Sequence, residues 1–216
     1  LFKPLPKPSH LKDVPTVVAA ARIFDLKDII TMIKSCAVAQ KQIPNIQYLV
    51  YGDNNAVPEY TAECERLIDE LGIRANFKLA GYHSKPHELF CEGDISILTS
   101  ISEGFPYTVL ESMSCGIPVV ATDVGGVTEA LDENCGFICK PKDYEEIGNS
   151  VVTLLKDKAL REKMGEYARE KVIRNFTIDK FIHAYENVYE QVANKEVKEV
   201  QLPIITIEEE QTIKAS

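Results

Sequence analysis

The chain has 216 residues, 45% hydrophobic and 26% charged, which excludes collagenous, low-complexity and wholly disordered classes and suffices for one large domain with a real core. Acidic residues number 33 against 24 basic ones, a net charge of −9, whereas a phosphate-tracking surface carries the opposite excess, so nucleic acid is not expected as a partner. No apolar run approaches the roughly 18–20 residues that cross a bilayer, and no basic stretch followed by an apolar one opens the chain, so neither membrane insertion nor secretion is expected.

Four of the eleven prolines fall in the first fifteen positions. Proline at that density removes backbone donors and favours an extended connector, so residues 1–15 read as an interdomain linker and the chain as the C-terminal piece of something longer. From Thr16 the pattern alternates between short apolar or β-branched runs and stretches of helical period. Strands are expected at 16–21, 46–52, 76–81, 94–100, 118–123 and 135–139. Between them lie helices at Lys27 to Gln42, with Ile30, Ile33, Ala37 and Val38 on one face, at Glu59 to Leu71, with Cys64, Leu67, Ile68 and Leu71 on one face, and two shorter ones at Phe105 to Cys115 and Gly126 to Leu131. Strands apolar throughout are what a parallel sheet covered on both faces requires. The expected fold is therefore α/β: a doubly wound, Rossmann-like parallel sheet of about six strands with right-handed crossovers. Three helical segments follow at Asp143–Lys156, Ala159–Asn175 and Ile178–Asn194, the last with Thr177 as N-cap. Residues 16–193 form the expected domain and 194–216 a charged tail.

The six cysteines are scattered through a chain too large to need stapling and read as reduced residues of a cytoplasmic protein. Cys135 and Cys139 lack the second pair or paired His that would close a zinc site, and His10, His83, His87 and His183 show no ligand spacing; no metal is expected. Tyr144, Tyr167, Tyr185 and Tyr189 fall at helical spacings and read as packing residues.

In a doubly wound sheet ligands bind outside the carboxyl ends of the strands, so the loops there carry the functional reading. After the first strand, Arg22 and Lys27 converge near a helix start, a pattern suited to a diphosphate. After the fourth, Glu103 and Glu111 stand eight residues apart with Gly104 and Pro106 between them. Pro106 suits the first turn of a helix, Gly104 allows close approach of a ligand, and free N–H groups around Phe105 to Thr108 point into the same cleft. Carboxylates do not bind phosphate but accept hydroxyl hydrogen bonds at about 1.5–3 kcal/mol each, which suits sugar rings. As a lone residue, Glu111 would be a helix-dipole acid.

The run SEGFPYTVLESMSCGIPVVATDVGGVTEAL strongly resembles the signature of the retaining glycosyltransferases of family 4: a Glu, seven residues, a second Glu, then small-Gly-x-Pro-Val-(Val/Ile)-(Ala/Gly)-(Ser/Thr). The resemblance covers roughly residues 16 to 193 and corresponds to the C-terminal, donor-binding half of a GT-B fold; LTSISEGFP and RIFDLKDI look most like the Pel-type exopolysaccharide glycosyltransferases. It implies that Arg22 and Lys27 hold the donor diphosphate, Glu111 the ribose and Glu103 a hydroxyl of the transferred sugar. By the same resemblance the amides of Gly104, Phe105, Pro106, Tyr107 and Thr108 (Pro106 having none to offer) cradle the sugar and distal phosphate, and Tyr82 and His83 lie beside the base through backbone groups. The implied partners are a nucleotide-sugar donor, a carbohydrate or lipid-linked acceptor and an N-terminal GT-B domain, without which this chain is expected to be inactive; no cofactor or metal is implied. Ala21 stands where many members have Gly, which alters the backbone route past the phosphates. Glu129, in GGVTE, reads as a helix-terminal acid, and its glycines as freedom where a loop meets the ligand or a neighbouring domain. Nucleotide-sugar epimerases share the fold and glycogen and sucrose synthases the motif; a non-catalytic nucleotide-binding module is the remaining alternative.

Overall fold

The structure, a computed structural model, describes residues 2–193; the expected tail at 194–216 lies outside them. Six strands form one parallel sheet: β1 (Thr16–Ala20), β2 (Gln47–Tyr51), β3 (Phe77–Gly81), β4 (Ile95–Leu98), β5 (Val119–Thr122) and β6 (Gly136–Cys139). Among the described residues the α-helices are α1 (Ile29–Gln40), α2 (Pro58–Glu70), α3 (Tyr107–Ser114), α4 (Val127–Ala130), α5 (Tyr144–Lys156), α6 (Lys158–Asn175) and α7 (Ile178–Ala193). Every expected strand and helix is present; most are a residue or more shorter than the sequence pattern suggests, whereas α2 and α6 each begin one residue earlier, at Pro58 and Lys158. The strand order is β3-β2-β1-β4-β5-β6, so the direction of winding reverses between β1 and β4, and the crevice above those two strands is the ligand position of a doubly wound sheet.

Both faces of the sheet are buried, and side chains alternate between them. Val17 and Ala19 of β1 join Ile29, Ile33, Tyr48, Ile95, Val120 and Val151 in the larger core cluster, while Val18 joins Leu89, Phe90, Cys91 and Cys115 on the other side. That alternation explains why β1 reads as continuously apolar. The buried residues of α1 are Ile29, Thr31, Met32, Ile33, Ser35, Cys36 and Ala39. Of the expected face, only Ile33 is fully buried. The helix is covered by α5 as well as by the sheet: a Cβ on Gly148 of α5 would stand 2.8 Å from Ser35 O. Burial pushes the thiols of Cys36 and Cys64 up to about 12 and that of Cys139 to about 11, so these cysteines are packing residues.

Residues 2–14 run across the surface with Phe2 and Leu5 packed against the smaller cluster, Phe2 6.4 Å from Phe90 between ring centroids. Lys7 Nζ donates to Val14 O at 2.6 Å and Asp94 Oδ2 at 2.7 Å, and the same carboxylate oxygen accepts from Thr16 N. The proline-rich segment is thus tied to β1 and to the start of β4.

The chain divides into two compact units, the first ending at Glu170 and the second beginning at Lys171 within α6. In the second, Thr177 Oγ1 accepts from Lys180 N at 3.4 Å, the cap expected of it. Tyr185 and Tyr189 do not take the packing role expected of them: they are largely exposed and touch along α7, with Phe181 continuing the row. Tyr144 stands under Lys34, whose Nζ is 5.6 Å from the ring centroid.

The helix expected from Lys27 begins two residues later. A single 3-10 turn at Asp25–Lys27 comes first, and Asp28 joins it to α1 with φ 46° and ψ 54°, its Oδ1 accepting from Thr31 N at 3.2 Å. A left-handed conformation costs a residue with a Cβ about 1–2 kcal/mol, while the cap bond offsets a similar amount. Asp28→Ala, which keeps the strain and loses the cap, is expected to destabilise the fold by about 1–3 kcal/mol, and Asp28→Gly, which loses both, by less than about 1 kcal/mol. Urea unfolding of the two variants checks the order.

Candidate functional site

The loops that follow β1 and β4 meet above the point where the winding reverses. Ile101 N donates to Leu26 O at 2.9 Å, and Thr99 Oγ1 reaches the carbonyls of Lys27 and Asp28, both at 3.0 Å. On this backbone frame Lys27 Nζ lies 2.5 Å from Glu103 Oε1, with both side chains mostly buried. Ser100, fully buried, donates from Oγ to the same Glu103 Oε1 at 2.6 Å, and its own carbonyl accepts from Thr122 Oγ1 at the end of β5, also at 2.6 Å. Glu103 Oε1 is thereby filled by two donors, and among the described residues no hydrogen bond reaches Oε2. Neither Ser100 nor Thr122 stands out in the sequence, because serine and threonine at the end of a buried strand are ordinary there.

The loop after β5 closes the frame. Gly126 N donates to Gly104 O at 2.7 Å, and a Cβ on Gly125, whose φ is +52°, would stand 1.9 Å from Glu103 O. The glycines of GGVTE are required by contact with the Glu103 loop. Glu129 lies in the first turn of α4, the helix-terminal acid expected.

Pro106 is the N-cap of α3, and the helix starts at Tyr107, two residues beyond the position expected. Among the described residues no acceptor faces the backbone N–H groups of Tyr107 and Thr108. Glu111 lies in the second turn, so it is not a first-turn acid; it is half-buried and its carboxylate has no hydrogen-bond partner among the described residues. Burial raises its pKa above the ordinary glutamate value. A carboxylate that has lost water without gaining a protein donor is suited to accept from a ligand.

Arg22 is exposed and forms no ion pair among the described residues; its guanidinium stands 5.1 Å over the Phe24 ring. Phe105 packs edge-on to Tyr107, which is exposed. Tyr82 is 80% exposed in the loop after β3, and the His83 ring beside it bonds to Glu92. The structure therefore brings Lys27 and Glu103 into contact, while no hydrogen bond joins Arg22, Glu111 or Tyr82 to that pair among the described residues.

Residues 4–171 match the family described as glycosyl transferases, group 1. The chain is 33% identical over 145 residues to the N-acetyl-alpha-D-glucosaminyl L-malate synthase of Bacillus anthracis, an alignment that covers 67% of this chain and 37% of that one. It spans less than half the length of this and the other relatives it matches, a trehalose synthase of Pyrococcus horikoshii among them. Among solved structures, it matches HepE from Anabaena in complex with UDP-glucose with a TM-score of 0.77 at 22% identity, over 86% of this chain and 50% of that one. It also matches the C-terminal domain of a group 1 family protein from Francisella tularensis with a TM-score of 0.72 at 23% identity, over 82% of this chain and 96% of that domain.

The two site glycines differ in what they answer to. A Cβ on Gly104 would meet no atom of the protein within 4 Å, whereas one on Gly125 would overlap backbone. Gly104→Ala is expected to leave thermal stability unchanged, and Gly125→Ala, with a strained φ and a collision at the Glu103 carbonyl, to cost more than about 2 kcal/mol. Paired thermal melts check the contrast.

Proposed function

The chain belongs to the glycosyl transferases of group 1, and from that membership we propose that it is the donor-binding half of a retaining enzyme of GT-B architecture. In this reading it moves a sugar from a nucleoside diphosphate sugar to a hydroxyl of a carbohydrate or lipid-linked acceptor held by an N-terminal domain. The observation that carries the reading is the meeting of the cationic loop after β1 with Glu103 and the start of α3 at one crevice. The match along 96% of an isolated C-terminal domain supports the division into halves.

Transfer breaks the bond from the anomeric carbon to the distal phosphate oxygen, and the electron pair leaves with the phosphate. The acceptor oxygen bonds to the same face of that carbon through an oxocarbenium-like state, and its proton passes to the departing phosphate oxygen. Negative charge therefore builds on the diphosphate. In this reading Arg22 and Lys27, with the amides of Tyr107 and Thr108, stabilise it. Glu103 Oε2 takes a hydroxyl of the sugar and Glu111 the ribose hydroxyls. The reading assigns charge neutralisation to these groups and expects no metal. No described helix is long and apolar enough to cross a membrane, and we place the protein in the cytoplasm, where its six free thiols stay reduced.

The Lys27–Glu103 pair sharpens what substitutions should do. Glu103 lowers the field Lys27 projects onto a phosphate, so Glu103→Ala should leave nucleoside diphosphate affinity unchanged or raised while lowering turnover of the full-length enzyme. Glu111→Ala should weaken nucleotide affinity itself by roughly tenfold to a hundredfold, because ribose is common to donor and product. Calorimetry of the chain against uridine, guanosine and adenosine diphosphates, with metal chelated, tests both. No saturable binding of any of the three would remove the donor site.

The raised pKa of Glu111 supplies a pH test. Ribose hydroxyls donate to the ionised carboxylate, so binding favours the charged form. Nucleotide affinity should fall as pH is lowered through that raised pKa. Glu111→Gln binds more weakly at neutral pH but should lack this component, and the difference between the two curves isolates it from titration of the phosphate.

A further inference from the structure

Beneath the loop after β3 lies a group of polar side chains that the transfer chemistry does not use. Tyr51, the last residue of β2, donates from its hydroxyl to Glu92 Oε2 at 2.5 Å. His83 Nε2 lies 3.0 Å from Glu92 Oε1, and its Nδ1 accepts from Lys85 N at 3.0 Å. An acceptor at Nδ1 leaves the proton on Nε2, so the imidazole donates to the carboxylate. The Tyr51 and His83 rings meet edge to face at 4.9 Å. Glu92 thus receives one donor on each oxygen, and both His83 and Glu92 side chains are mostly buried.

Two features of the backbone make this group a fixed point. Glu92 ends a short helical turn, Leu89–Glu92, whose Leu89, Phe90 and Cys91 are buried in the smaller core cluster, so its carboxylate hangs from an anchored segment. The pairing of β2 with β3 slips by one residue at this place: Val50 faces Leu79 but Tyr51 faces Gly81. Such an irregularity re-aims side chains at the edge of a site. Gly81, with φ +72°, then turns the chain out of the sheet into Tyr82 and His83. Burial and the neighbouring Glu92 push the Tyr51 hydroxyl well above its ordinary pKa, which keeps it a donor.

We propose that Tyr51, Glu92 and His83 form a latch that fixes the backbone of Tyr82 and His83, and that this latch sets the preference of the donor site for one nucleobase. The inference rests on the donor-site reading, in which that loop lies beside the base. A base edge is read by backbone groups only if they are held still; a loose loop follows several bases equally well. Tyr51 and Glu92 are positioning residues, since they act through the His83 side chain.

The test uses the 216-residue chain, its Tyr51→Phe and Glu92→Ala variants, and the uridine, guanosine and adenosine diphosphates. The unsubstituted chain should favour one base, and each variant should lose preference by roughly tenfold through weaker binding of the favoured nucleotide. Amide exchange at residues 82–85, measured without nucleotide, should speed up in Tyr51→Phe. That variant keeps the ring and its packing, so it decides the matter if Glu92→Ala fails to fold. Preference and exchange both unchanged in Tyr51→Phe, or equal affinity of the unsubstituted chain for all three bases, would overturn the latch. No binding by the unsubstituted chain would overturn the donor-site reading, and the latch with it.

Discussion

The contact between Lys27 and Glu103 is the constraint around which the rest of the site is arranged. The two residues come from loops 76 positions apart and meet at 2.5 Å because β1 and β4 are neighbours in the sheet. A mostly buried ion pair of this kind is not in itself a source of stability, since desolvation offsets much of the attraction. Its consequence is positional. Once Lys27 and Ser100 occupy one oxygen of Glu103, the carboxylate has one orientation, and its other oxygen is the one that remains to be used.

That arrangement depends on backbone more than on side chains. The carbonyls of Leu26, Lys27 and Asp28 are held by Ile101 N and Thr99 Oγ1, the carbonyl of Ser100 by Thr122 Oγ1, and the carbonyl of Gly104 by Gly126 N. Three loops from three adjacent strands therefore share one hydrogen-bonded frame. A frame built this way is rigid, which on the proposed function suits catalysis by preorganised charge. By contrast, Arg22 and Glu111 stand without protein partners among the described residues, one exposed and one half-buried. On the proposed function they are the groups the donor satisfies.

The overall charge of −9 sets a further demand. On the proposed function an anionic donor approaches a protein that repels it at long range, so attraction must be local and short. Arg22 and Lys27 beside a helix N-terminus answer that demand, and at about 0.15 M salt the screening length of roughly 8 Å confines the repulsion to nearby groups. The acidic excess therefore argues against nucleic acid as a partner without arguing against a bound diphosphate.

The sequence alone determined the class of fold and named the candidate residues of the site. Continuous apolar runs alternating with helical periods point to a parallel sheet buried on both faces, since a strand such as Val17, Val18 and Ala19 that offers no polar side suits a sheet covered by helices on each face. Arg22, Lys27, Glu103 and Glu111 are legible because charged residues at the carboxyl ends of such strands have few structural uses. What the tertiary structure alone decided is which of these groups touch. Local pattern carries no information on strand order, so it does not tell that the loop after β1 lies against the loop after β4, that Gly125 must be glycine because the Glu103 carbonyl passes it, or that His83 turns toward Glu92 and Tyr51. The same limit applies to helix faces: α1 is buried on more than one side because α5 covers it, a fact outside its own twelve residues. Hydrogen bonds and burial between distant segments arise only when the sheet has chosen its neighbours, and that choice is made by the whole chain packing at once.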